Sequence, residues 1–415
     1  MKICFVVFNA YPVVEPNAPG FFGGSETRAV TLARGLAKST EHEICFIVQN
    51  PELKQPRLID AVMYIPWCDF WAETREHVAE HLDLSVLPGI RFKRWSWKLL
   101  WEIPLLILSN PWRRKHRDPR RKSQIFQQIN ADLYCGFGIN PITVQTVYNA
   151  KILNQSSLLF LGHDMDLDER HHPESDYISP AGERAETSYW VLKNADRIIA
   201  QTESQQQLLK QRFDRKSMVL LNPFDLEHWK NQASRGSLIN PWGDEKYVLW
   251  IGRADAFHKL PARFVELAKK CPSLKFLMIM NPSDPVVEQQ IKQNRPENLK
   301  VIDTVPHCEM PGVFRDALAF VNTSTQEGFP NVFLQAIASE VPIISYEVGK
   351  EFLGNSRAGV CVQGNVNDAS QLLIDHSLKA QTDSQFAFQF LTDNYLCASI
   401  CAQLDELILE PKQSA

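Results

Sequence analysis

Short, almost uninterrupted apolar runs rich in Val, Ile and Phe alternate with amphipathic segments along the chain. This is the pattern of parallel strands buried on both faces and joined by helices. Six runs predict strands in the first half: Ile3 to Phe8, Ile44 to Val48, Asp132 to Cys135, Leu158 to Gly162, Arg197 to Ala200 and Met218 to Leu221. Six more follow, at Tyr247 to Ile251, Lys275 to Met280, Leu299 to Ile302, Ala317 to Asn322, Pro342 to Ser345 and Gly359 to Val362. Between the two series, Asn231 to Asp244 carries Ser, Gly, Asn and Pro with little apolar periodicity, as a linker does. The expectation is two doubly wound α/β domains, residues 1–230 and 245–384, facing each other across a cleft. Residues 385–415 continue with apolar positions at helical spacing, among them Phe388, Leu391, Tyr395, Leu404 and Ile408, and predict a helical tail able to pack back on the first domain.

Composition narrows the function classes. The 415 residues are 44% hydrophobic and 22% charged, ordinary for a soluble globular protein, and a net charge of −4 gives no general bias toward nucleic acid. The nine cysteines are scattered, with no CxxC pair, and read as reduced core residues of a cytoplasmic protein, neither a disulfide framework nor a zinc site. The first apolar run stops at Asn9, too short for a signal peptide, and Leu99 to Leu108 is broken by Glu102 and Pro104, far from the roughly 20 residues of a bilayer span. No strand is followed by GxGxxG, which disfavours a nicotinamide-dependent oxidoreductase.

Ligands of doubly wound sheets bind beyond the carboxyl ends of the strands, so the loops there hold the candidates. Phe22-Gly23-Gly24-Ser25-Glu26 precedes a helical stripe. Ser25 is placed to cap that helix, and two glycines admit a ligand close to the backbone, although a Gly-Gly turn is also ordinary punctuation. Gly162-His163-Asp164 opens an acidic loop whose spacing matches no standard metal-ligand set, and His163, at a strand end, suits contact with a substrate oxygen. Arg253 and Lys259 lie on one strand-to-helix connection, where a fork and a point charge can meet neighbouring phosphoryl groups; the alternative is two solvated cations. Glu327-Gly328-Phe329-Pro330-Asn331-Val332 joins a buried strand to an apolar helix that ends its first turns near Gln335. It offers a helix N-terminus for an anion and a carboxylate for vicinal hydroxyls, or simply a capped core helix.

These residues, in this order, resemble the retaining GT-B nucleotide-sugar glycosyltransferases of family 4. Gly23-Gly24-Ser25-Glu26 is similar to the family's GGxE loop, Gly162-His163-Asp164 to its central His motif and Ala195 to Thr202 to its ADxxIxxS/T strand. Asn222-Pro223-Phe224-Asp225 is similar to the interdomain NGVD segment, Gly252-Arg253 with Lys259 to the diphosphate-binding pair, and Glu327 to Gln335 to the E-x7-E signature. The resemblance implies two Rossmann-like domains, a nucleotide-sugar donor and a glycan or lipid-linked acceptor. It implies that Arg253 and Lys259 neutralise the departing diphosphate, that Glu327 holds donor-sugar hydroxyls and that His163 stabilises charge near the anomeric centre. Gly23, Gly24, Phe329, Pro330, Asn331, Val332 and Gln335 complete the donor contacts; no metal and no cofactor are called for.

Three positions depart from the pattern: Gln335 replaces the second glutamate, Leu260 stands where a glycine follows the lysine, and Pro223-Phe224 replaces the interdomain glycine. An amide at 335 loses the charge that holds the ribose, so weaker ribose binding is expected; a catalytically silent nucleotide-sugar-binding protein is the alternative. Finally, residues 91–122 hold eleven Lys or Arg against two acids, a formal +9 that leaves −13 elsewhere, together with Trp95, Trp97, Trp101 and Trp112. That mixture fits peripheral attachment to an anionic membrane surface at its inner face, a partner-binding scaffold, or a helix whose aromatics face the core. No nucleic-acid recognition motif accompanies it.

Overall fold

The structure, a computed structural model, describes the chain except residues 21, 51, 68–73, 75–76, 79–80, 84–90, 93–94, 116–117, 180–182, 234–239 and 411–415, and except the side chains of 83, 91, 92 and 110–115. The strands are β1 (Lys2–Val6), β2 (Glu43–Val48), β3 (Arg57–Ile59), β4 (Val62–Pro66), β5 (Leu82–Asp83), β6 (Arg91–Phe92), β7 (Leu133–Phe137) and β8 (Ser156–Phe160). They continue with β9 (Arg197–Ala200), β10 (Met218–Val219), β11 (Tyr247–Arg253), β12 (Lys275–Asn281), β13 (Leu299–Ile302), β14 (Ala317–Asn322), β15 (Ile343–Ser345) and β16 (Gly359–Cys361).

The first sheet runs β10-β9-β8-β7-β1-β2-β4-β3 and the second β13-β12-β11-β14-β15-β16; every pairing in them is parallel except β3 with β4. Helices cover both faces, which makes two Rossmann-like α/β domains. All twelve expected strands are present, shifted by a few residues at their ends. The hairpin β3–β4 was not expected. Its turn residues Asp60 and Ala61 take φ of 49° and 61°, a left-handed pair that the sequence does not announce with Asn-Gly or Asp-Gly.

In each sheet the order reverses beside the first strand of its domain, β1 against β7 and β11 against β14, and the loops leaving those strands face the cleft. A ladder of aromatic rings fills the first core: Phe46 stacks between Phe5 and Tyr64, and Phe137 between Phe5 and Phe160. Arg28, from the helix Gly24–Ser39, is buried beside this ladder and donates to the Leu161 and Leu220 carbonyls, both at 3.1 Å. Burial pushes its guanidinium pKa down to about 9. That helix is therefore pinned to the ends of two strands at the cleft.

The chain passes between the domains twice. Asn222-Pro223-Phe224 carries it forward, and Tyr395-Leu396-Cys397 carries it back; the Phe224 amide donates to the Tyr395 carbonyl (2.7 Å) and the Cys397 amide to the Phe224 carbonyl (3.0 Å). The helix Ser384–Asn394 buries Ala387 and Leu391 in the second domain's core, while Cys397–Leu409 buries Ile400, Cys401 and Leu404 in the first. A Cβ on Gly35 would sit 2.3 Å from Cys401 Sγ, so only glycine lets the tail helix cross Gly24–Ser39 this closely. Cys68 lies outside the described residues; the other eight cysteines are free thiols.

Candidate active site

The second domain supplies the charges. β11 runs through Gly252 and Arg253, two residues beyond the expected end, and leaves Arg253 61% exposed with its guanidinium 3.9 Å from Asp255. Asp255 then shapes the following loop, accepting from the Phe257 (2.8 Å) and His258 (3.0 Å) amides. Leu260 occupies the left-handed region (φ 48°) just before the helix Pro261–Lys270. That is the conformation glycine favours, so the glycine replaced in the sequence would have been the unstrained choice.

Two hydrogen bonds stitch this loop to the one after β14: Thr323 Oγ1 donates to the Lys259 carbonyl (2.6 Å) and the Thr325 amide to the His258 carbonyl (3.0 Å). They bring Lys259 onto Glu327, whose carboxylate pairs with the ammonium and also accepts from Ser324 Oγ (2.8 Å). The Glu327 side chain is only 13% exposed. Burial alone would raise its pKa, but the ammonium and the hydroxyl overcome that, and the carboxyl titrates below its ordinary value. The helix Asn331–Ala338 starts four residues on, with the positive end of its dipole beside this pair.

The first domain supplies neutral groups. His163 lies three residues past β8, where its Nδ1 accepts from the Met165 amide (3.0 Å). Its proton therefore sits on Nε2, which donates across the cleft to the Gln326 carbonyl (3.2 Å). Asp166 fixes this loop by accepting from the amides of Gly162 (2.7 Å), His163 (3.1 Å) and Ile139 (3.0 Å). Gln201 donates to the carbonyls of Leu161 (2.6 Å) and Gly162 (3.0 Å), and Gln205 to Asp164 (3.0 Å). None of Asp166, Gln201 and Gln205 stood out as a candidate. The offset of Asp166, three residues after His163 at a helix start, is the capping spacing that would have marked it.

At the glycine loop the expected cap is not the one used. The helix begins at Gly24, and Glu26 reaches back to the Gly23 amide (2.8 Å), so Ser25 already lies inside the first turn. The Gly24 carbonyl accepts from Asn331 Nδ2 (2.9 Å), and Asn331 Oδ1 accepts from Asn222 Nδ2 (2.6 Å). The start of the donor-side helix is thus held by both the glycine loop and the interdomain crossing. Gly328 lies against the opposite wall, where a Cβ would meet the Gly162 carbonyl at 2.8 Å.

The expected residues do not all converge. His163, Lys259, Glu327, Gly24 and Asn331 gather around the seam between the domains. The Phe329 ring turns away and stacks on Tyr395 (5.5 Å), leaving only its backbone to the site. Gln335 is a turn further along the helix, buried, with Oε1 unpartnered. It lines a cavity of about 40 Å³ with Arg28, Arg34, Asp225 and His307. His307 is half-buried there with both ring nitrogens shielded from solvent and neither hydrogen-bonded, and that desolvation pushes its pKa down to about 4. Among the described residues no cluster of three His, Cys, Asp or Glu could hold a metal ion.

Residues 245–376 match the family described as glycosyl transferases group 1. The second domain is thus similar to the domain of that family. Over the whole chain the fold is GT-B. Sucrose-phosphate synthase from Thermosynechococcus elongatus superposes with a TM-score of 0.66 at 15% identity, covering 98% of both chains. HepE from Anabaena, solved with UDP and glucose, gives 0.63 at 15% identity, covering 98% of this chain and 99% of its own. The trehalose-6-phosphate synthase OtsA gives 0.66 at 12% identity over the full length of both. In this GT-B frame the Lys259–Glu327 pair lies within the matched residues 245–376, and His163 on the wall opposite them.

Proposed function

We propose that this chain is a retaining, family 4-type glycosyltransferase that moves a sugar from a nucleotide-diphosphate donor to a glycan or lipid-linked acceptor. The observation that carries the reading is the Lys259–Glu327 pair at a helix N-terminus, facing a His163 whose Nε2 proton is already presented to the second domain. A donor entering the seam exchanges these internal partners for its own groups. Its diphosphate takes Lys259, Arg253 and the helix end; its sugar hydroxyls take Glu327; and the His163 proton turns from the Gln326 carbonyl to a sugar oxygen.

Cationic side chains and the helix end then stabilise the charge that develops on the leaving diphosphate. The bond from the anomeric carbon to phosphate oxygen breaks, the bond to the acceptor oxygen forms on the same face, and the acceptor proton passes to the departing phosphate. Turnover accordingly persists in EDTA. HepE was solved with UDP and glucose, which makes UDP-sugars the first donors to test, with GDP- and ADP-sugars beside them. A bound donor raises the melting temperature by mass action, and release of free sugar in a hydrolysis assay reports chemistry. Proton NMR of the product decides retention. Saturable binding with no transfer and no hydrolysis selects the second reading, a silent nucleotide-sugar binder, which the neutral amide of Gln335 favours.

A further inference from the structure

The helix Leu99–Lys115 is oriented by one face. Leu99, Ile103 and Leu106 pack on Val78 and Leu82, and buried Glu102 is hydrogen-bonded to His77 Nδ1 (2.5 Å), whose Nε2 meets Ser96 Oγ (3.2 Å). The opposite face carries Leu100, Trp101, Pro104, Ile107 and Leu108, all exposed and spaced at the helical period. Exposure is heaviest at Leu108 (80%) and, just before the helix, at Trp97 (76%), with Trp95 beside it. No polar residue interrupts this stripe, and a folded soluble domain rarely leaves such a continuous bulky apolar surface in water. The cations of the segment lie at its two ends in sequence: Arg91, Lys93, Arg94 and Lys98 before the stripe, and Arg113, Arg114, Lys115 and Arg117 after it. Among the described residues no helix is long and apolar enough to cross a membrane.

An apolar face with interfacial tryptophans, bracketed by cations and carried by a chain that is otherwise net negative, is complementary to one surface: a bilayer with anionic headgroups. We propose that the helix Leu99–Lys115, with Trp95 and Trp97, lies in the plane of such a membrane, its stripe among the acyl chains and its flanking cations at the headgroups. The proposal is independent of the sugar chemistry and holds whether or not transfer is observed.

The test is co-sedimentation of the full chain with vesicles of phosphatidylcholine alone or mixed with phosphatidylglycerol, with tryptophan quenching by brominated lipid as the readout of insertion. The expected result is binding to the anionic vesicles that weakens in high salt, with quenching. Trp97→Ser with Leu108→Ser lowers the binding by at least about tenfold, and so does replacement of Arg113, Arg114 and Lys115 by Ser. Both variants keep the circular dichroism of the parent and any donor-induced thermal shift, which separates lost docking from lost folding. Absence of binding to every vesicle, or equal binding by parent and variants, overturns the proposal. So does a concentration-dependent dimer abolished by Trp97→Ser with Leu108→Ser, which would assign the stripe to a second copy of the chain.

Discussion

The two walls of the cleft are built from different groups. The second domain brings Arg253, Lys259, Glu327 and a helix dipole, groups that act through charge. The first brings Gly24, Gly162 and a neutral His163, ordered by Asp166 and Gln201, groups that act through closeness and direction. Charge tolerates small displacements; a glycine contact does not. Under the proposed function, the contrast would give binding and leaving-group stabilisation to one wall, and to the other the shape that completes the site.

The largest effect expected from breaking this contrast is on the charged wall. Arg253→Ala should lower kcat/KM by about 10²- to 10³-fold while the melting temperature stays near the parent's, because the side chain is exposed and its ion pair with Asp255 is long, at 3.9 Å. Wild-type-like transfer by that variant would remove Arg253 from the mechanism. Next comes His307, between the walls and held neutral. Below about pH 6.5 the unfolded chain takes up a proton that desolvated His307 refuses until about pH 4, so stability falls across that window by up to about 3 kcal/mol. Chemical denaturation of His307→Gln against the parent, from neutral pH down to pH 4, should show a flatter acid limb in the variant; parallel limbs would assign the acid sensitivity elsewhere.

Smaller effects sharpen the role of closeness. Gly328→Ala places a methyl against the Gly162 carbonyl; it should cost roughly tenfold in kcat/KM and leave donor affinity nearly intact, and a loss of donor binding instead would move Gly328 to the charged wall. Gln335→Glu restores the missing carboxylate and should tighten donor binding several-fold in calorimetry; unchanged affinity would show that Gln335 does not meet the ribose. The smallest change is Leu260→Gly, which relieves a left-handed backbone and should raise stability by about 1 kcal/mol, read as a higher melting temperature.

What was legible in the sequence follows from what writes itself locally. Parallel strands buried on both faces leave continuous apolar runs, so both sheets could be read from the apolar pattern alone. The glycine loop, Glu327 and Lys259 lie in local strand-to-helix connections and were equally visible. The hairpin β3–β4 was not, since its turn uses Asp60-Ala61 without glycine. Nor was Arg28, whose importance lies in the carbonyls of Leu161 and Leu220 far away in the chain; Gln201 and Asn222 stood in quoted motifs, but their partners Leu161, Gly162 and Asn331 did not show. The basic segment announced its charge, but which face of its helix meets water depends on Val78, Leu82 and His77, which the charge pattern does not contain.

The paired crossings at Phe224 and Leu396 carry a mechanical consequence. Two strands of chain lying side by side and tied by two backbone hydrogen bonds act as an axle. A swing of one domain about that line would keep both bonds, whereas sliding would break them. A few degrees of such a swing would move the distant ends of the cleft by ångströms, more than the tight fit of Gly328 against the Gly162 carbonyl allows.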